Sequence, residues 1–223
     1  MLLPRLRAFH VALFIGGWLL VVGCTGAIAD EPLIPGAKTV LPIFQPIVQQ
    51  LRTQTQIPIV LPTQIPTDAL VALDDSGRLQ PYINVPITTE GKFENVFAYV
   101  LSSAKDSYTL TLDATSDCQG ANVCSFGMLT ARQVYQDTPP LAQDTSASEP
   151  PDYLPMARSP ESAGEVQLIG GITGYFIPYS CGANCNTSDV IWEQNGYRYS
   201  VGVRMASQAA VVRMANSAIR NEL

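Results

Sequence analysis

A chain of 223 residues is long enough for one medium-sized domain, or for two small domains that share a sheet. Its 19 acidic residues outnumber its 13 lysines and arginines, and the net charge of −6 disfavours binding to nucleic acid and to anionic lipid headgroups. The only histidine, His10, lies in an N-terminal region that we expect to be cleaved off. The remaining chain therefore has no histidine, which Ser-His-Asp catalysis, Cys-His catalysis and the usual histidine-containing metal sites all require.

The first 23 residues have the pattern of a secretory signal peptide. A basic start precedes an apolar run from Val11 to Val22, which is too short to span a membrane. The residues that follow, Val-Val-Gly-Cys, resemble the bacterial lipobox, in which the cysteine is acylated and becomes the mature N-terminus. We therefore predict a signal peptide over 1–23 and a lipid anchor (palmitate and further acyl chains) on Cys24. Cleavage after Ala29, at an A-x-A match, is the alternative.

Residues 24–42 are predicted to be a flexible tether, and residues 43–135 a first half that contains one helix and several strands. Pro46 stands where the first turn of a helix accepts proline, and the apolar residues up to Leu51 share one helical face. The run at 57–62 predicts a strand at a sheet edge, because its prolines have no N–H to donate to the hydrogen bonds of a central strand. Further strands are predicted at 82–85, 95–101, 108–113 and 125–134.

Four cysteines remain after the anchor, in two short loops that stand where a hairpin should turn. Outside the cytoplasm such cysteines are expected to form disulfides. We predict the local pairing, Cys118 with Cys124 and Cys181 with Cys185. A zinc site built from all four thiolates is less favoured, because the usual short spacing fits only the second pair. A redox role is disfavoured because neither pair is C-x-x-C.

Residues 136–164 hold six prolines among serines and acids and lack apolar periodicity, which predicts a surface loop.

The C-terminal module at 165–223 follows. Its Gly170-Gly171 pair interrupts a strand pattern, which indicates a bulge or a turn. Ser207 is a plausible N-cap for a closing helix, because apolar residues recur at helical spacing from there to Ile219.

The Asn195-Gly196 pair predicts a type I′ hairpin turn, because that turn needs positive φ at both central residues. The resulting register places the aromatic side chains of Trp192, Tyr197 and Tyr199 on one face. These three side chains could form a binding face for a sugar or a peptide. Since a helix is available to cover them, core packing is the favoured interpretation.

Three strings in this module, GITGYFIPYSCGANC, VIWEQNGYRYSV and MANSAI, resemble a group of small bacterial cell-envelope lipoproteins or secreted proteins of unknown function. The module is more distantly similar to an uncharacterised extracytoplasmic domain of anti-sigma-factor-like membrane proteins. The resemblance covers about a quarter of the chain. It implies a strand, a tryptophan hairpin, a helix and an envelope location, and it implies no catalytic residues.

Together these patterns predict an α+β fold, in which a mostly antiparallel sheet carries a short N-terminal helix and a C-terminal helix packed on one face. The predicted function is that of a membrane-tethered, extracytoplasmic protein that binds or scaffolds an unknown protein or glycan partner. We expect no catalytic residues, cofactor, metal or nucleic acid. The alternatives are a lipid-anchored hydrolase that uses carboxylates on cell-wall glycans, and a metal or thiol sensor built on the cysteines.

Overall fold

The computed structural model of the protein describes residues 40–67, 71–73, 79–81, 95–144, 159–181 and 185–223. All of them lie in one compact unit, Ala37–Leu223. The predicted signal peptide, the lipidation of Cys24, nearly all of the tether, the strand at 82–85 and the middle of the proline-rich loop fall outside the described residues. Within the described ranges, no helix combines the length and the apolarity that crossing a membrane requires.

The central feature of the described chain is one large antiparallel sheet. The helices and strands are, in chain order, α1 (Gln45–Gln54), β1 (Val71–Leu73), β2 (Leu79–Pro81), β3 (Phe97–Ala104), β4 (Ser107–Asp113), β5 (Ser125–Gln133), β6 (Gly164–Gln167), β7 (Thr173–Ile177), β8 (Thr187–Gln194), β9 (Tyr197–Arg204) and α2 (Gln208–Arg220). β1 and β2 pair with each other, and the other seven strands form the sheet in the order β3-β4-β5-β9-β8-β7-β6. The predicted α+β class is confirmed.

The hairpin of β8 and β9 has the register that the sequence predicts. Trp192 pairs with Tyr199 across the ladder, and the turn residues Asn195 and Gly196 have φ angles of 54° and 82°. Both angles lie in the left-handed region that a type I′ turn requires. β6 and β7 form a second hairpin, so the glycine pair at 170–171 makes a turn and not a bulge inside one strand.

The hydrophobic core lies between the helices and one face of the sheet. Alternate residues of the strands, such as Leu110 and Val201, belong to one buried cluster with Leu51 of α1 and Met214 of α2. α2 begins where the sequence predicts, because the Ser207 hydroxyl accepts a hydrogen bond from the Ala210 amide at 3.3 Å. Both amphipathic helices therefore bury the faces that their periodicity predicts.

The strand predicted at 57–62 is wrong, because this segment crosses the sheet instead of joining it. Its one ladder contact is an isolated bridge between Val60 and Glu222. The Val60 amide donates to the Tyr108 hydroxyl at 3.1 Å, and the Tyr199 hydroxyl donates to the Pro58 carbonyl at 3.4 Å. The segment's apolar side chains are buried on the helix-covered face, so its strand-like composition reflects burial and not pairing.

Candidate functional site: a groove on the open face of the sheet

The aromatic face of the β8–β9 hairpin lies in the core. The side chains of Trp192 and Tyr199 are 0% and 2% exposed, and their rings stack with centroids 5.6 Å apart. Tyr197 is half-buried at the edge of this cluster. Core packing, the favoured interpretation, is therefore confirmed. The alternative of an open binding face is wrong for Trp192 and Tyr199, because a ligand cannot reach either ring.

The two cysteine loops lie at the same end of the sheet. Cys118 and Cys124 are disulfide-bonded in the loop between β4 and β5, and Cys181 and Cys185 are bonded in the loop between β7 and β8. The predicted local pairing is confirmed. Since β9 runs antiparallel to both β5 and β8, its last residue, Arg204, comes to lie between the two loops.

Neither α1 nor α2 packs on the sheet face opposite the core, which we call the open face. A cavity of about 520 Å³ lies there, over the central strands. Its floor is made of short side chains, such as Thr130 and Ser200, beside the apolar Met128 and Ile191. The remaining lining residues on this face include Thr109, Arg132, Asp144, Ile177, Asn186, Thr187, Asp189 and Arg198.

One wall of this cavity is held by a buried arginine. Arg198 is 3% exposed, and its guanidinium donates to Oε1 of Glu193 at 2.5 and 3.0 Å, to Oδ2 of Asp144 at 2.5 Å and to the Pro139 carbonyl at 2.5 Å. Arg132 also pairs with Asp144. Burial lowers the pKa of Arg198, but the two carboxylates outweigh burial and the net shift is upward. This network fastens the segment after β5 onto the open face.

Asp189 is the second carboxyl group at this cavity, and it lies near the middle of the open face. The Thr187 hydroxyl donates to its Oδ2 at 2.9 Å. Burial raises the pKa of Asp189 from 3.8 to about 6, and the hydrogen bond from Thr187 opposes that shift. No ion pair to Asp189 forms within the described residues, so its charge is not neutralised as that of Asp144 is.

A second cavity, of about 280 Å³, adjoins the first between the two disulfide loops. It is lined by Arg204, whose side chain is 7% exposed. The Arg204 guanidinium donates to the Asn122 carbonyl at 3.0 Å, and the described part of the chain offers it no acidic partner. Burial lowers the pKa of Arg204, as expected for a cation withdrawn from water without a counterion.

The two cavities together form what we call the groove. They share Met128, Asn186 and Thr187 as lining residues. Strand β9 runs along its floor, and Arg198, Ser200 and Arg204 of this strand line it. The two arginines are six positions apart in an extended strand, which corresponds to about 20 Å.

The patterns in the sequence did not identify this site, and Arg198, Asp189 and Arg204 were not among the predicted site residues. A signal was present, because the outward positions of β9 read Arg-x-Ser-x-Gly-x-Arg.

The chain matches no family model, no curated protein and no solved structure. The resemblance to small envelope proteins therefore stays a prediction. What can be concluded about function comes from the groove, the disulfides and the N-terminal sequence.

Proposed function

We propose that this is an exported, membrane-tethered envelope protein that binds a ligand in the groove without converting it chemically. The observation that carries the proposal is the cavity of about 520 Å³ on a sheet face that neither helix covers. Its volume falls within the range of about 300–1,000 Å³ that is common for small-molecule sites. Apolar side chains such as Ile191 and Met128 alternate there with polar side chains that can orient a ligand.

The charges in the groove favour binding over catalysis. Hydrolysis of a glycosidic bond by carboxylates requires two carboxyl groups with separate roles. Asp144 is one of the two carboxyls that line the described groove, and it is held by Arg132 and Arg198. That leaves Asp189 as a single carboxyl without an ion pair. The ion pairs of Arg132 and Arg198 with Asp144 hold the wall of the cavity in place before a ligand binds.

A carboxylate-based hydrolase is the second candidate, and one observation favours it. Asp189 has a pKa of about 6 inside a cavity, which suits a general acid near neutral pH. If this candidate is right, cleavage of a soluble cell-wall glycan by the purified protein should disappear in Asp189→Asn. Measurable turnover that is lost in this variant would overturn the non-enzymatic part of the proposal.

Export and tethering have separate support. Two disulfides persist in an oxidising compartment outside the cytoplasm. The basic start, the apolar run and the lipobox-like Val-Val-Gly-Cys predict both the signal peptide and the acylated Cys24. Mass spectrometry of the mature protein should find a diacylglyceryl group on Cys24. A free Asp30 at the N-terminus would show cleavage after Ala29 and would exclude the lipid anchor.

Ligand binding in the groove can be tested by blocking it. Ser200→Phe places a ring on the groove floor, whereas Ser102→Phe places the same ring on the exposed edge strand β3, outside both cavities. A defined set of short peptides, muropeptides and oligosaccharides would be screened by thermal shift. A ligand at about 100 times its Kd stabilises a protein by about 2.7 kcal/mol, which is a rise in Tm of about 5–10 °C at this size.

Ser200→Phe should abolish the shift that the wild-type protein shows, and Ser102→Phe should retain it. Circular dichroism would establish that both variants are folded. A ligand that stabilises all three proteins equally would show that the groove is not the binding site.

A further inference from the structure

The Arg204 side chain is the one cation in the described part of the groove that has no acidic partner. Arg198 has two carboxylate partners and Arg132 has one, whereas Arg204 has only the Asn122 carbonyl. Arg204 is only 7% exposed, and it lines the cavity of about 280 Å³. A buried charge without a counterion is costly, and a ligand of opposite charge would remove that cost.

The surroundings of Arg204 indicate which anion would fit. The other polar groups that line this cavity, on Asn122, Ser125, Asn186 and Thr187, are neutral. The single guanidinium would therefore balance a ligand group with one negative charge. A carboxylate is such a group, and it pairs with arginine in a planar, bidentate geometry. A phosphate group near neutral pH carries close to two charges, and the net charge of −6 disfavours it further.

We infer that the cavity at Arg204 binds the carboxylate end of an extended ligand, most simply the C-terminus of a peptide, whose remaining residues lie along β9 in the groove. This inference rests on the proposed function, since it names the ligand chemistry of the same groove. Arg204 follows Ser200 by four positions, so an extended peptide of about four residues, or about 13 Å, spans both cavities. The disulfides on either side hold the loops that form the walls around its carboxylate.

The probe is N-acetyl-tetraalanine with a free C-terminal carboxylate, compared with the same peptide as its C-terminal amide. Binding would be followed by ¹⁵N NMR titration of the folded, disulfide-bonded protein, through the amides of Gly120, Asn122 and Thr187 and the side-chain Nε–H of Arg204. We expect a Kd of about 1 mM for the acid. The amide should bind at least about 10-fold more weakly, because it lacks the charge that pairs with arginine.

The variant Arg204→Met keeps an unbranched side chain as long as the aliphatic part of arginine and removes the charge. Arg213→Met on the exposed side of α2 is its matched control. Arg204→Met should fold, since an apolar residue of similar shape tolerates burial, and it should lose the preference for the acid. Arg213→Met should bind the acid as the wild-type protein does. A merely structural Arg204 would instead leave the acid-to-amide ratio unchanged in Arg204→Met.

Equal binding of acid and amide, or no saturable shift at these amides, would overturn the inference. Tighter binding of inorganic phosphate than of the acid peptide would overturn the assignment to a carboxylate. These outcomes are distinct from failure of the proposed function. If acid and amide bind equally but Ser200→Phe still blocks both, only the carboxylate inference fails. If Ser200→Phe blocks neither, the groove is not the binding site.

Discussion

Asp189 on β8 lies directly opposite Gly202 on β9, and its carboxylate occupies the space that a side chain at Gly202 would fill. A Cβ atom at Gly202 would lie 2.8 Å from Cγ of Asp189 and would overlap Oδ1 outright. The carboxylate therefore lies over the backbone of β9 in the middle of the groove. This position explains why burial raises the pKa of Asp189 to about 6.

Gly202→Ala should destabilise the protein through this close approach. The new methyl group would collide with Asp189 and lie 3.1 Å from Cβ of Thr187, so we expect a loss of about 1–3 kcal/mol in the free energy of unfolding. Gly164→Ala on the edge strand β6 is the matched control, because a Cβ there meets nothing within 4 Å. Its effect should stay below about 0.5 kcal/mol in urea denaturation.

The collision with Asp189 can be separated from a general effect of replacing glycine in a strand. In an Asp189→Ala background, the same Gly202→Ala change should cost much less, because its main obstacle has been removed. An equal cost in both backgrounds would show that the carboxylate is not what Gly202 accommodates.

The raised pKa of Asp189 also predicts how stability depends on pH. Between the ordinary value of 3.8 and the folded value of about 6, the unfolded state releases a proton that the folded state keeps. Deprotonation therefore favours unfolding, and the stability that Asp189 contributes falls as pH rises from about 4 to about 6. The difference between the two pKa values corresponds to a loss of about 3 kcal/mol at most.

Asp189→Asn removes this titration, so the quantity to measure is the free energy of unfolding of the wild-type protein minus that of the variant, between pH 4 and pH 8. The difference should decline across the lower part of this range and become constant above about pH 7. A difference that rises with pH would mean that an unrecognised cation stabilises the charged carboxylate.

The parts of the fold that the sequence predicts are those that depend on residues close together in the chain. Asn195-Gly196 fixes the turn of the β8–β9 hairpin, and one turn fixes which residues face each other along both strands. The local disulfides follow from the same logic, because cysteines four or six residues apart at a hairpin tip are near each other in any fold. Helix α2 follows from its cap at Ser207 and its apolar spacing.

The parts that the sequence does not predict depend on residues far apart in the chain. Asp144 and Arg198 are separated by 54 positions, and no periodic pattern connects them. The segment at 57–62 is apolar because it is buried against the sheet, and apolar composition alone cannot distinguish burial across a sheet from pairing within one. The groove escaped prediction for the same reason, since its charged side chains come from several strands and a distant loop.

The placement of the segment at 57–62, which crosses the sheet, can be tested through its hydrogen bonds to two tyrosines. The Val60 amide is buried and donates to the Tyr108 hydroxyl at 3.1 Å, so Tyr108→Phe leaves this N–H without its acceptor and should cost about 1–3 kcal/mol. Tyr199→Phe is the matched control. Its hydroxyl donates to the Pro58 carbonyl over a longer 3.4 Å, and a carbonyl tolerates a lost partner better than an amide, so the cost should be below about 1 kcal/mol.

Urea denaturation of the two phenylalanine variants would compare these costs. Hydrogen exchange at the Val60 amide should accelerate in Tyr108→Phe and remain slow in Tyr199→Phe. Equal destabilisation with unchanged exchange would mean that the segment does not depend on the Tyr108 hydroxyl.

The two disulfides should each contribute about 2 kcal/mol by constraining the unfolded chain, because each closes only a short loop. Cys118→Ala with Cys124→Ala should cost no more than this, since two other contacts also hold that loop. The Gly120 amide donates to Oδ2 of Asp113 at 3.1 Å, and Arg204 donates to the Asn122 carbonyl.

Thiol counting tests the pairing itself. The mature protein with an acylated Cys24 should show no reactive thiol when unfolded without reductant and four after reduction. Four thiols released by a zinc chelator alone would show that the cysteines bind metal. In that case the end of the groove near Arg204 would be a metal centre, because all four sulfurs lie in the two loops that flank it.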